Sequence, residues 1–144
     1  MLVLGLDVGE ARTGLAEADT SAGVAVPVGA LERAGDDGAH ADAVLAEAFR
    51  RGAGLLVVGM PLSMSGRPGP QAQRIEAFSA LLRSRGALPV ETVDERLSTV
   101  EAGRRIQESA GGRRSKRGSK PTQRGALDAA AAAVLLQSWL DRRR

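Results

Sequence analysis

The chain predicts an α/β fold, with a mixed five-stranded sheet of an antiparallel three-strand meander plus two parallel strands and helices on both faces. Three observations predict it. The first thirty or so residues alternate apolar and polar positions with short breaks. After that the apolar spacing changes to the helical period. Two further strand-length apolar segments then interrupt the helical pattern, as strand–helix crossovers require.

Leu2–Val8 reads as the first strand. Leu2, Leu4, Leu6 and Val8 alternate onto one face; Val3, Gly5 and Asp7 share the other. Gly5 is expected to leave open space beside Asp7. Gly9–Arg12 turns the chain, Thr13–Ala18 returns as a second strand, and Thr20–Gly23 turns again. Val24–Leu31 is the third strand, bent near Pro27. Connections this short imply an antiparallel meander. Ala41, Val44, Leu45, Ala48 and Phe49 then fall on a helical stripe that Gly52 stops. Leu55–Val58 is apolar on both sides, as a buried parallel strand is. Pro70 suits a first helical position, with Ile75, Phe78 and Leu82 as the stripe and Gly86 as the stop. Pro89–Val93 is the fifth strand, running into Asp94 and Glu95. Ser98 and Glu101 form a capping box that opens a third helix. A last helix runs from about Gln123 to Leu140. No internal repeat is evident, and residues 1–144 are expected to form a single domain.

Composition removes whole classes of chemistry. The 144 residues contain no Cys and no Tyr, and one His, His40. Thiolate nucleophiles, disulfides, Cys-based zinc sites and tyrosyl–phosphate intermediates are excluded. One His cannot build a His-rich metal site, and His40 is expected to be solvated at a helix start. Carboxylates, hydroxyls and bound metal remain. No apolar run spans a bilayer and the N-terminus lacks the pattern of a signal peptide, so a cytoplasmic location without membrane contact is expected.

Three acidic residues stand inside patterned segments: Asp7 in the first strand, Glu95 after the fifth, and Asp128 in the first turns of the last helix. Brought together they make a carboxylate cage for hard divalent cations, and such a cage hydrolyses phosphodiesters. Each has a plainer reading. Asp7 can close a turn with Gly9, Glu95 can pair with Arg96, and Asp128 can stabilise a helix start. Asp94 is a rival ligand beside Glu95. The run Ala129–Ala133 lets the last helix approach the sheet, which brings Asp128 within reach of the other two. Net charge is +3. From Ser109 to Leu127 there is no acid, while Arg113, Arg114, Lys116, Arg117, Lys120 and Arg124 are all basic. A positive cluster beside a metal site is the footprint of phosphate binding; a solvated linker is the plainer alternative. Arg12 also suits a phosphate contact or a solvated turn, and Arg96 flanks Glu95. Ser63, Ser65 and Gly66 suit either a substrate loop or a surface loop. Phe49 and Phe78 fall on core stripes. Trp139 lies near the C-terminus, where it can pack or stay partly exposed. Binding is therefore expected to rest on phosphate and shape rather than on stacked bases.

Four segments together resemble the YqgF/RuvX family. They are Leu4-Gly-Leu-Asp-Val-Gly-Glu-Ala-Arg-Thr-Gly-Leu-Ala16, Gly59-Met-Pro-Leu-Ser-Met-Ser-Gly66 with Phe78 following, Val93-Asp-Glu-Arg-Leu-Ser-Thr99, and Asp128-Ala-Ala-Ala-Ala-Ala-Val-Leu-Leu-Gln137. The order is right and the coverage nearly complete. The resemblance implies an RNase H-like fold, with Asp7, Glu95 and Asp128 as the acidic triad. It implies a nuclease that processes the 5′ end of pre-16S rRNA in ribosome biogenesis, or a Holliday junction resolvase acting in DNA recombination and repair. The chain departs from the family's pattern before the last Asp: Arg124 and Ala126 stand where Lys residues are common, so charge is kept at one position and lost at the other.

The leading expectation is a two-metal endonuclease that takes Mg²⁺ or Mn²⁺, two ions about 4 Å apart with substrate. Its partner is nucleic acid, either structured RNA or branched DNA. Asp7-Val-Gly9 with Thr13-Gly14 is also similar to the phosphate-binding start of actin-like kinases, but that fold closes two domains over its nucleotide and this chain has room for one. A non-catalytic nucleic-acid-binding module is the third class, against which the complete triad argues. Symmetric cutting of a four-way junction needs two sites related by a two-fold axis. The chain offers no obvious dimer helix, so a monomer or weak homodimer is expected, which favours rRNA processing.

Overall fold

The computed structural model describes residues 1–61, 67, 69–95 and 121–143. Five strands form one sheet: β1 (Leu2–Val8), β2 (Arg12–Asp19), β3 (Val26–Glu32), β4 (Leu55–Met60) and β5 (Val90–Asp94). Three helices are described: α1 (Asp37–Arg51), α2 (Pro70–Arg85) and α3 (Pro121–Arg142). The strand order is β3-β2-β1-β4-β5. β1–β2 and β2–β3 are antiparallel; β1–β4 and β4–β5 are parallel. This is the expected meander plus two parallel strands. The third helix expected from Ser98 lies outside the described residues.

Local signals explain the boundaries. Asp36 caps α1 by accepting from the Ala39 amide at 2.8 Å, and Gly52 ends that helix at φ 74°. Pro70 occupies the first turn of α2, where its missing N–H costs nothing. The bend expected near Pro27 is a bulge: Leu15 pairs with Gly29 and Ala16 with Pro27, leaving Val28 unpaired.

The sheet is covered on both faces. Leu4, Leu6 and Val8 of β1 join Leu56, Val58 and Met60 of β4 under α1 and α2. Val3, Leu55, Val57 and Val93 face the other way, onto Leu135, Leu136 and Trp139 of α3. Trp139 is buried and donates to Glu91 Oε1 at 3.3 Å. Gln137 of α3 accepts from the Ala25 amide at 2.9 Å and donates to the Gly23 carbonyl at 3.1 Å. That side chain ties α3 to the turn between β2 and β3.

Four expectations need correction. His40 is 1 % exposed, not solvated. It stands with Val44 and Ala48 at intervals of four, so the first turn of α1 already faces the sheet. Its Nε2 shares a 2.7 Å hydrogen bond with Thr13 Oγ1, and its ring lies 5.5 Å from that of Phe78. Phe49 is 86 % exposed rather than in the core. The buried stripe centres on His40, Val44 and Ala48, and Phe49, one residue on, is turned away from it. Gly5 does not open onto free space: a Cβ there would sit 2.9 Å from Leu136 Cβ. α3 begins at Pro121, so Asp128 lies about two turns into the helix rather than in its first turn.

His40 makes stability depend on pH. Burial first, and the positive charge of Arg33 second, hold its imidazole below the ordinary 6.5, with Asp37 opposing. The unfolded chain therefore takes up the proton before the folded one does. The contribution of neutral His40 is complete above the unfolded value and is lost as pH falls through the folded value. Urea unfolding at about pH 7.5 and about pH 5.5, a window that brackets free imidazole, should show the wild type losing more stability than His40→Gln. Equal losses would remove His40 as the cause.

Candidate active site

β1 brings Asp7 to the α3 face by alternation with Val3 and Gly5. Asp7 is 7 % exposed and stands opposite Gly14 in the β1–β2 ladder. β5 brings Glu91, Val93 and then Glu95 to the same face. Glu95 is 3 % exposed. Its Oε1 lies 2.7 Å from where a Cβ on Gly59 would be, so the carboxylate rests in the space that glycine leaves. Leu6 pairs with Val58, and Asp7 and Gly59 are the next residues along those two neighbouring strands. Asp94 pairs with Met60, whose side chain belongs to the opposite core. Strand alternation therefore separates the two neighbours: Glu95 shares the face of Asp7, and Asp94 does not.

α3 brings Asp128. A Cβ on Gly14 would overlap the Asp128 carbonyl group. The helix backbone thus lies directly on β2, beside the position opposite Asp7. The Asp128 carboxylate accepts from Arg12 Nε at 2.5 Å, with the two side chains 30 % and 18 % exposed. Arg12 is therefore engaged at the site rather than solvated in a turn. Among the described residues, no three His, Cys, Asp or Glu side chains come together closely enough to hold one metal ion. The three carboxylates share one face and one end of the sheet, and Arg12 engages Asp128.

The chemistry of this donor set is hard oxygen, which suits Mg²⁺, Mn²⁺ or Ca²⁺ rather than soft metals. Two buried carboxylates on one face are costly unless cations or hydrogen-bond donors meet them. Arg124 lies exposed on α3, one turn before Asp128. Arg96, Arg113, Arg114, Lys116, Arg117 and Lys120 lie outside the described residues, as do Ser63, Ser65, Gly66, Ser98 and Thr99. Two features escaped the sequence reading. One is the Arg12–Asp128 pair, which joins residues 116 apart in the chain. The other is the row of small positions at Gly5, Gly14 and Gly59, whose signal was a glycine inside an otherwise apolar strand.

Comparison with known proteins gives a consistent result. A family model described as "RuvX: Holliday junction resolvase" matches residues 1–142. A protein of Gloeobacter violaceus is 42% identical over 142 residues, covering 99% of this chain and 85% of that protein. One from Anaeromyxobacter dehalogenans is 42% identical over 144 residues, covering 99% and 98%. Both carry the name "Putative pre-16S rRNA nuclease". Among solved structures, Thermus thermophilus RuvC in complex with a Holliday junction substrate superposes with a TM-score of 0.58 at 17% identity. It covers 99% of this chain and 95% of its own. That likeness is one of fold, and RuvC carries the RNase H-like fold.

The close approach of Gly14 to α3 is testable. Gly14→Ala forces a methyl into the Asp128 backbone and should cost about 3 kcal/mol or more, the upper end for overpacking. Gly125 lies in the same helix with its nearest neighbour, Ala30 Cβ, at 3.6 Å from a built Cβ. Gly125→Ala should instead stabilise by about 0.5–1 kcal/mol through helix propensity. Denaturant midpoints decide the matter, and equal small effects would contradict the close approach.

Proposed function

The chain belongs to the RuvX family, and we propose on that premise that it is a metal-dependent endonuclease processing the 5′ end of pre-16S rRNA. The observation that supports this reading most is the burial of Asp7 and Glu95 on one sheet face, with the α3 backbone at Asp128 against Gly14. A structural role does not need two buried carboxylates and a helix backbone at one strand end. Asp7, Glu95 and Asp128 would hold Mg²⁺ or Mn²⁺, two ions with substrate. When bound, such ions supply an activated water and charge stabilisation for the leaving oxygen.

The remaining work falls to the chain's own residues. Asp7 is fixed by strand backbone and Glu95 directly follows β5 with its carboxylate against Gly59, so their orientation is set before substrate arrives. Arg12 holds Asp128 through its Nε and keeps further N–H donors that suit a backbone phosphate. Arg124 and the basic run Arg113, Arg114, Lys116, Arg117 and Lys120, with Arg96, would bind the polyanion without reading its sequence. We place this activity in the cytoplasm, in one domain acting as a monomer or weak homodimer. No helix among the described residues is long and apolar enough to cross a membrane.

The second reading is resolution of four-way DNA junctions, which the description of the family model favours. A substrate panel separates the two: precursor RNA, duplex and four-way junction, each with Mg²⁺, Mn²⁺ and chelator. Paired symmetric cuts on a junction by a tight dimer, with no action on RNA, would replace the first reading by the second.

Asp7→Asn should eliminate cleavage while preserving folding and nucleic-acid binding, because the amide keeps the shape and loses the charge. Glu95→Gln should behave the same way, and Asp94→Asn should stay active because its side chain belongs to the other face. A dead Asp94→Asn beside an active Glu95→Gln would reverse that assignment.

Neutralising Arg113, Arg114, Lys116 and Arg117 should weaken binding with little sequence preference. The log–log salt dependence of affinity should flatten by about 0.7–0.9 for every phosphate that is no longer neutralised. An unchanged slope would make the basic run a bystander.

A further inference from the structure

A second concavity opens on the other side of the same strand end. It has a volume of about 220 Å³. Val8, Ile75 and Phe78 give it apolar walls, and Glu10, Arg33, Gln71 and Arg74 supply its polar groups. Gly9 and Glu10 close one side. They belong to the turn after β1, so the pocket starts one residue beyond Asp7. Val8 and Asp7 point to opposite faces, and the pocket and the carboxylates therefore flank a single strand terminus.

The polar groups are only lightly committed. Arg74 lies 3.4 Å from Glu10, with side chains 65% and 84% exposed, an ion pair that water and salt weaken. Arg33 pairs with Asp37 and lies over the Phe78 ring at 5.8 Å. Its Nε has no accessible surface, so a ligand could reach only the partly exposed remainder of the Arg33 side chain. α2 begins at the rim with no side-chain cap and no acid in its first turn, so the helix end adds a partial positive charge there.

Apolar walls with a few hydrogen-bonding groups suit a flat heterocycle, apolar on its faces and polar on its edges. Inorganic phosphate would leave the walls uncovered. An aliphatic ligand would offer nothing to Gln71 or Arg74. Phe78 is 2 % exposed, so the ligand rests in the pocket without needing a stacking platform. Gln71 offers both a donor and an acceptor to a base edge.

We propose that this pocket receives an unpaired nucleobase of the strand whose backbone crosses Asp7, with the adjoining phosphate on Arg74. This rests on the nuclease reading above and adds a subsite to it: the protein selects nucleic acid that is locally unpaired beside the cut.

Binding of an RNA duplex carrying 2-aminopurine is measured in chelator, so that nothing is cut. One form is fully paired; the other has the 2-aminopurine unpaired. The wild type should bind the unpaired form about tenfold more tightly, the scale of one well-held base, and the probe's fluorescence should change. Gln71→Trp plugs the pocket from an exposed position and should remove the preference. Arg74→Glu should reduce the preference. Equal wild-type affinities, or a preference that survives Gln71→Trp, would overturn the proposal. Titration with adenosine 5′-monophosphate separates a strand subsite from a free-nucleotide site: affinity matching that of the unpaired duplex would overturn the strand assignment. Cleavage in Mg²⁺ tests the nuclease reading separately. No cutting with a Gln71-dependent preference would fail that reading alone; cutting without such a preference would fail the pocket alone.

Discussion

Contact between bare backbone and helix governs this structure. α3 lies against the sheet at Gly5, Gly14 and Gly59, where a Cβ would meet Leu136, the Asp128 carbonyl, or both Glu95 and Leu135. With side chains at those positions the helix would have to stand further off. Asp128 would then leave the neighbourhood of Asp7, and Glu95 would lose the space its carboxylate occupies. The alanines of α3 do the same from the helix side, with Ala129 and Ala132 buried. Small residues on both partners bring polar groups of distant segments together.

Electrostatics then divides the strand end into two unlike faces. On the α3 side, Asp7 and Glu95 are buried acids, and Arg12 engages Asp128. On the other side, Arg33 and Arg74 stand at an apolar pocket. Both arise from one backbone segment because strand neighbours point to opposite faces.

The order of elements was legible because period and punctuation are local. Alternation marked the meander, Gly52 and Pro70 marked helix ends, and the apolar run at Leu55 marked a buried strand. The errors at His40 and Phe49 share one cause, which is the rotation of α1 about its own axis. The α1 stripe turned out to centre on His40, Val44 and Ala48, leaving Phe49 in solvent. Hydrophobicity alone favours Phe over His as a core residue. One ring nitrogen of buried His40 is met by Thr13, a partner on β2 that no window along α1 contains.

The sequence by itself determined the fold class, the order of elements along the chain, and three candidate carboxylates, because periodicity, turn chemistry and motif order are written along the chain. Tertiary structure alone decided which carboxylate of the Asp94–Glu95 pair shares a face with Asp7. It also decided that Arg12 engages Asp128, and that the strand glycines make room for a helix rather than for a ligand. These depend on the packing of segments far apart in the chain, and the distance between such segments is set by side-chain volume on both surfaces, which no local pattern records.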